Sequence, residues 1–289
     1  MHSRRVALTL LGSTATAALS GCLTGNGGGD DDAITPVTER AVGDTGSIPQ
    51  YQVNAGNAGR LDDPVPSSPS VAWRRTPAHR DGSQPVVDGT DVYLAFDGTP
   101  VNLALDNGAV AWTADVGHAS ESAPAVHGGV VYATVWNGGE SVPRGLAAVD
   151  PADGTVRWRA LTDNDIGAAP TPTDDAIFVG GGYENGEIAA VENGGTVRLR
   201  RDLGEYAATP AVVDDLNVVV YTTGEAGSAV ALAADTGETV WERSLDDRAV
   251  AAPTVADETV LVADESGSVR ALDAPTGEIR WQTAVDGRV

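Results

Sequence analysis

The chain of 289 residues contains no lysine: all 18 basic residues are arginine, set against 41 aspartates and glutamates. The formal charge of −23 excludes a nucleic-acid partner, because phosphate binding needs the opposite sign. Cys22 is the one cysteine, which excludes intramolecular disulfides and cysteine-based metal sites. The apolar run 6–19 has 14 residues, too short for an ordinary membrane span of about 20. There is no Gly-x-Ser-x-Gly elbow. The glycine-rich run 180–186 follows a strand pattern without opening a helix or supplying the P-loop lysine, so it reads as a hairpin loop. His79, His118 and His127 fall near strand connections and have no metal-ligand spacing. Carboxylates are so abundant that pairing any two as acid and base is arbitrary, and no catalytic or metal-binding residue is assigned.

What the chain does have is a repeat. Five units end on nearly the same phrase, at residues 104–112, 148–158, 190–199, 231–241 and 271–281. The markers Trp73, Trp112, Trp158, Leu199, Trp241 and Trp281 are spaced by 39, 46, 41, 42 and 40 residues. A second ladder, Pro85, Pro124, Pro170, Pro210 and Pro253, keeps step with gaps of 39, 46, 40 and 43. Eight residues beyond four of these prolines stand Tyr93, Tyr132, Phe178 and Leu261, with Val218 in the fourth unit. A unit of this size cannot bury its own apolar face, so neighbouring units must stack.

Each unit holds two hairpins. The first follows its proline, with turns such as Asp88-Gly89 and Gly128-Gly129. The second turns at Asn107-Gly108, Asp153-Gly154, Gly194-Gly195, Thr236-Gly237 and Thr276-Gly277. Proline suits the first position of a strand beginning at a rim, since it cannot donate inside a ladder. The fold class expected is all-β: a β-propeller of four-stranded blades. Trp136 is off the ladder and is placed in the long insertion of the second unit. Loops 117–122, 162–167, 204–207 and 246–250, which join successive units, are the candidate contact loops.

The phrase resembles the tryptophan-docking motif of quinoprotein-type propellers (pyrroloquinoline-quinone-like repeats). The match is fullest at Ala271, Asp273, Thr276, Gly277 and Trp281. It continues at Ala148, Asp150, Gly154 and Trp158, and at Ala231, Thr236, Gly237 and Trp241. In the first unit, shortened by two residues, it falls on Ala104, Asp106, Gly108 and Trp112, and the third unit has Leu199 in place of tryptophan. Residues 51–59 resemble the lead-in before the first blade. The resemblance implies that these residues dock each blade on the next, and that the propeller domain covers 50–289. Family rings usually close with seven or eight blades, so five units imply a tight ring or an incomplete arc, which a second copy could complete. Family dehydrogenases hold a quinone and calcium over the axis, often above a vicinal cysteine pair that this chain lacks. The expected function is therefore a non-enzymatic, BamB-like binding or assembly scaffold with envelope or membrane protein partners and no cofactor. The alternatives are a quinone- and Ca2+-dependent dehydrogenase and a structural repeat without a ligand.

The N-terminus reads as an address. Arg4 and Arg5 resemble a twin-arginine export signal, and residues 19–22 match a lipobox, so residues 1–21 form a signal and Cys22 carries lipid. Residues 22–49, with three consecutive glycines and three consecutive aspartates, read as a tether. The implied location is the outer face of the cell membrane, anchored in the bilayer through Cys22. Lysine depletion and high acidity resemble proteins of halophilic archaea, in which molar salt screens self-repulsion. Dialysis from about 2 M to about 0.05 M salt is expected to loosen the fold, and an unchanged circular dichroism spectrum would refute that adaptation.

Overall fold

The computed structural model describes residues 35–36, 47–60, 67–75, 82–119, 121–136, 143–182, 186–225 and 227–286. Arg4, Arg5, Cys22 and His79 lie outside them. Two-residue strands β1 (Thr35–Pro36) and β2 (Trp73–Arg74) pair with each other. Five four-stranded antiparallel sheets follow, each with its strands in chain order. Blade 1 is β3 (Val86–Asp88), β4 (Asp91–Phe96), β5 (Thr99–Ala104) and β6 (Val110–Thr113). Blade 2 is β7 (Ala125–His127), β8 (Val130–Val135), β9 (Gly145–Val149) and β10 (Val156–Ala160). Blade 3 is β11 (Thr171–Pro172), β12 (Ile177–Gly181), β13 (Glu187–Val191) and β14 (Val197–Asp202). Blade 4 is β15 (Ala211–Val213), β16 (Val218–Thr222), β17 (Ser228–Ala233) and β18 (Thr239–Ser244). Blade 5 is β19 (Thr254–Ala256), β20 (Thr259–Ala263), β21 (Ser268–Asp273) and β22 (Ile279–Ala284).

In blades 2 to 4 the second and third strands are buried on both faces, so they read as near-continuous apolar runs, whereas β20 of blade 5 alternates. Apolar packing is divided among the seams between sheets. Tyr93, Trp112, Val131 and Val149 meet between blades 1 and 2, Tyr132, Leu146, Ile177 and Val179 between 2 and 3, and Phe178, Ile188, Val219 and Tyr221 between 3 and 4. Val220, Trp241, Val260 and Leu272 fill the seam between blades 4 and 5. A fifth cluster, Val92, Leu94, Val101 and Leu103, lies on the far face of blade 1 and packs with Trp73.

One contact recurs at every seam. Gly108, Gly154, Gly195, Gly237 and Gly277 have φ between +66° and +91° in the turn before the fourth strand. A Cβ built there would stand 2.7 Å from Trp73, 2.8 Å from Trp112, 2.9 Å from Trp158, 2.2 Å from Leu199 and 2.6 Å from Trp241, respectively. The docking side chain of one blade thus lies flat on the next blade's turn, and only glycine permits both the backbone and the approach. Indole N–H groups also donate across the seam: Trp73 to Leu105 O (2.8 Å), Trp112 to Pro151 O (2.8 Å) and Trp241 to Ala274 O (2.7 Å). Two residues beyond three docking positions an arginine adds a second tie. Arg75 reaches Gly108 O, Arg201 reaches Thr239 Oγ1, and Arg243 reaches Gly277 O.

The lead-in, residues 47–60, threads along the first strands. Ile48 exchanges two main-chain bonds with Val87, and Pro49 O accepts from Val126 N. Ala55 O and Gly56 O accept from Val212 N and Val255 N. Asn57 Nδ2 bridges Pro210 O and Pro253 O at 3.0 and 3.1 Å. One short segment therefore ties the inner strands of blades 1, 2, 4 and 5.

Register corrects the sequence ladder in three places. Val220, rather than Val218, occupies the slot of Tyr93, Tyr132, Phe178 and Leu261, because a 3-10 turn at Asp214–Leu216 lengthens that hairpin by two residues. Opposite Trp112 stands Asn102, where the other blades place Ala148, Ala190, Ala231 and Ala271. The first phrase is therefore not shortened: Asn102 stands ten residues before Trp112, as Ala148 does before Trp158, and Ala104, which closes β5, takes the place of Asp150, its carbonyl accepting from Gly108 N. Trp281, expected to dock, has no blade to dock on among the described residues and is 48% exposed, against 6% for Trp241.

Burying a docking indole removes about 150–250 Å² from water, worth at most about 4–6 kcal/mol. In denaturant melts, Trp241→Ala is expected to cost about 3–5 kcal/mol. Gly277→Ala, which keeps the indole but demands a Cβ at positive φ beneath it, is expected to cost about 1–3 kcal/mol. An unshifted midpoint in both would contradict seam docking.

Candidate functional site

The loops joining successive blades share one end of the arc with the connections between second and third strands. Two adjoining clefts open there, of about 280 and 360 Å³. All four candidate contact loops contribute: Glu121 and Ser122, then Asp165 and Gly167, then Tyr206, then Val250. Trp136 follows β8 directly and lines the smaller cleft; Tyr51 of the lead-in lines the larger. Glu121, Ser122 and Tyr206 border both, so the clefts form one mouth.

Two of the loops are pinned by arginines on the strands behind them. Arg200 on β14 grips Asp163 at 3.0 and 2.9 Å with Nη1 and the buried Glu187 with Nε. Its hydrogen bonds to Asp163 and Glu187 hold the guanidinium pKa up, and the same contact to Arg200 pulls Asp163 down. In blade 5, buried Arg270 donates to buried Asp264 (2.9 Å) and pairs with Asp246 at the start of loop 246–250. Asp264 also accepts from the main-chain N–H groups of Asp246, Ser266 and Ser268 and from the Ser266 hydroxyl. Burial alone would raise the Asp264 pKa; these donors outweigh it and hold the group below its ordinary value of 3.8. Removing one partner of such a pair strands a buried charge.

At the opposite end, a cavity of about 830 Å³ is bounded by the lead-in and the first hairpins of blades 2, 3 and 4. Blade 3 is the one whose first strand the lead-in does not bind in the described residues. Asp174, Asp175, Asp214 and Asp235 face this space beside Arg198, whose Nη2 donates to Ala234 O at 2.8 Å. Burial, followed by the neighbouring Asp215 and Asp174 charges, raises the Asp214 pKa. His127 Nε2 lies 3.2 Å from Asp174, while His118 packs over Gly98 in the first blade.

The motif aspartates form turns. Asp150 accepts from Ala152 N and Arg157, and Asp273 from Thr276 and Arg280. Thr236 and Thr276 accept from Glu238 N and Glu278 N. In the first turn Asn107, adjacent to Asp106, accepts from Ala109 N. Among the described residues no three His, Cys, Asp or Glu side chains converge as a metal site. Pyrroloquinoline quinone is a polycarboxylate. The mouth's lining residues offer it the Glu121 carboxylate and no arginine, and the nearby Arg144 is engaged by Asp165 at 3.3 Å, so the residues present do not fit that cofactor.

The profile of a family described as "Outer membrane protein assembly factor BamB" matches residues 60–183 and 184–288. No curated protein sequence matches the chain. Solved structures do. The quinohemoprotein alcohol dehydrogenase of Comamonas testosteroni superposes with TM-score 0.65 at 17% identity, over 82% of this chain and 49% of its own. A europium-containing methanol dehydrogenase gives 0.70 at 16%, over 83% and 58%. The computationally designed Ika8 protein gives 0.61 at 14%, over 72% and 63%. The chain spans about half the length of the two dehydrogenases, and likeness at this identity establishes the fold alone.

The Asp264 knot carries a pH signature. A lowered folded pKa contributes stability that is present above 3.8 and is lost as pH falls through the folded value. The thermal midpoint is expected to drop in that acid window. Asp264→Asn is expected to lower the midpoint at pH 7 and to shrink its further loss at about pH 3. An unaltered acid profile in the variant would remove Asp264 as a source of acid sensitivity.

Proposed function

The chain belongs to the family described by the outer membrane protein assembly factor BamB, and from that premise we propose that it is a non-enzymatic binding scaffold. Its mouth captures segments of envelope proteins, and a lipid on Cys22 tethers it to the outer face of the membrane. One observation carries the reading. The inter-blade loops converge on a mouth lined by Trp136 and Tyr206, and two arginine clusters, the buried one of Arg270 and the exposed one of Arg200, hold two of those loops in place. Aromatic side chains on fixed loops supply contact area at low entropic cost, the usual basis of a hot spot. The exposed Glu121 and the strongly negative charge of the chain favour partners with basic side chains, Asp165 being already paired with Arg144 at 3.3 Å. They disfavour a polycarboxylate quinone, and with it the dehydrogenase reading. The acidic, lysine-free composition suits a scaffold working in concentrated salt.

Crosslinking in the native membrane fraction tests this directly. Joint substitution of Trp136→Ala and Tyr206→Ala is expected to cut capture of crosslinked envelope proteins by about tenfold or more with the fold retained. Cys22→Ser is expected to release the protein to the soluble fraction with the mouth intact. Undiminished crosslinking in the double variant, or quinone-dependent dye reduction by the purified protein, would overturn the scaffold reading. Persistent membrane association of Cys22→Ser would overturn the anchor.

A further inference from the structure

The lead-in leaves blade 3 unbound, and the sequence gives the reason. Main-chain N–H groups of Val87, Val126, Val212 and Val255, each two residues beyond its ladder proline, donate to the lead-in. The same position in blade 3 is Pro172, which has no N–H to give. Between Pro49 and Ala55 the lead-in turns aside, closed by Val53 N donating to Gln50 O, with Gln52 and Val53 at positive φ. The cavity of about 830 Å³ is the space left between that turn and blades 2, 3 and 4. Its walls are three successive blades and the segment that crosses them, so it does not depend on what adjoins either end of the arc.

The lining carries negative charge that its own side chains do not cancel. Asp175, Asp214 and Asp235 form no ion pair among the described residues, and Asp174 meets only His127. Arg198 gives Nη2 to Ala234 O and lies over the Phe178 ring at 6.0 Å instead of gripping a carboxylate. Burial and the Asp215 and Asp174 charges raise the Asp214 pKa. A neutral group points the same way. Gln50 is 6% exposed and borders the cavity, and its side-chain amide makes no hydrogen bond among the described residues. A buried amide without a partner is costly, so a bound group that supplies one is favoured.

The chemistry of the occupant follows from how these groups are spread. No three described His, Cys, Asp or Glu side chains converge as a metal site, so a point cation finds no shell of ligands. The carboxylates come from three separate turns, and the apolar side chains of Val126, Phe178 and Val212 share the lining with them. That combination matches ammonium groups separated by methylenes. Segments 22–34, 37–46 and 61–66 each hold more acidic than basic residues, so the sequence flanking the lead-in does not supply those cations.

We propose that this cavity binds a linear aliphatic di- or polyamine. Its ammonium groups pair with Asp174, Asp214 and Asp235, and one of them donates to the Gln50 amide oxygen. The site lies at the opposite end of the arc from the mouth and does not rest on the scaffold reading.

Calorimetric titration of the full chain with spermidine, in the lowest salt that preserves its circular dichroism spectrum, tests this. Saturation at one site per chain is expected. The double variant Asp174→Asn with Asp214→Asn, and separately Gln50→Met, are each expected to weaken binding by about tenfold or more with the spectrum unchanged. Glu278→Gln, at an exposed turn of blade 5, is expected to leave it unaltered. Binding that never saturates, or that falls equally in Glu278→Gln, would reveal general attraction to an acidic surface and overturn the proposal. Undiminished affinity in both cavity variants would overturn it too, as would displacement of spermidine by Mg2+ at equal concentration. Capture of a trilysine peptide without any binding of spermidine would also overturn it.

Discussion

An aromatic or aliphatic side chain lying on a glycine is the contact that the other features of this molecule rest on. A four-stranded sheet of about twenty ordered residues buries too little to stand alone. Here each sheet gains its second layer from its neighbour, and the outer strands, mostly solvated, would splay without a clamp at the rim. The flat contact at Gly108, Gly154, Gly195, Gly237 and Gly277 supplies that clamp. Where the indole also donates to the turn, as for Trp73, Trp112 and Trp241, orientation is fixed as well as distance. Leu199 shows that the volume can be filled without that bond, at the cost of direction.

A second restraint acts at the axis. The lead-in binds the first strands of four blades through main-chain groups, and Asn57 closes on two prolines that open β15 and β19. Rim clamps set the angle between neighbours, and the axial segment joins blades distant in sequence. Together they position the inter-blade loops, and the Arg200 and Arg270 pairs stiffen two of them from behind. The mouth is thus built on loops whose backbones have little freedom, which is what a preorganised binding surface requires.

The blades were legible in the sequence because each needs the same few residues at the same offsets: proline at the inner rim, apolar strands, glycine in the turn, and a large side chain after it. Register was less legible. The 3-10 turn at Asp214–Leu216 moves Val220 into the slot assigned to Val218, and Asn102 replaces the alanine of the phrase at an unchanged ten residues before Trp112, so that Ala104 only mimics it. The first is a length change within a turn, which a fixed spacing misses; the second is a substitution, which a match on alanine misses. The axial role of residues 47–60 left almost no sequence trace, because carbonyls and amides make the contacts. Arg270 and Asp264 were hidden by the abundance of carboxylates. Trp136 was set apart by failing to fit the ladder, and an aromatic residue that serves no seam was the available pointer to the mouth. Trp281 fits the motif best of all and yet docks on nothing within the described residues, because a motif specifies one side of a contact only.

The most direct test of seam docking is hydrogen exchange at the indole N–H groups, read by NMR on the folded protein in molar salt. The Trp112 and Trp241 N–H groups, each bonded to a carbonyl of the next blade, should exchange only through opening of the sheets, slower than a free indole by orders of magnitude. Exchange of both at the rate of an unfolded chain, while the sheets themselves stay protected, would mean that the indoles do not clamp the blades.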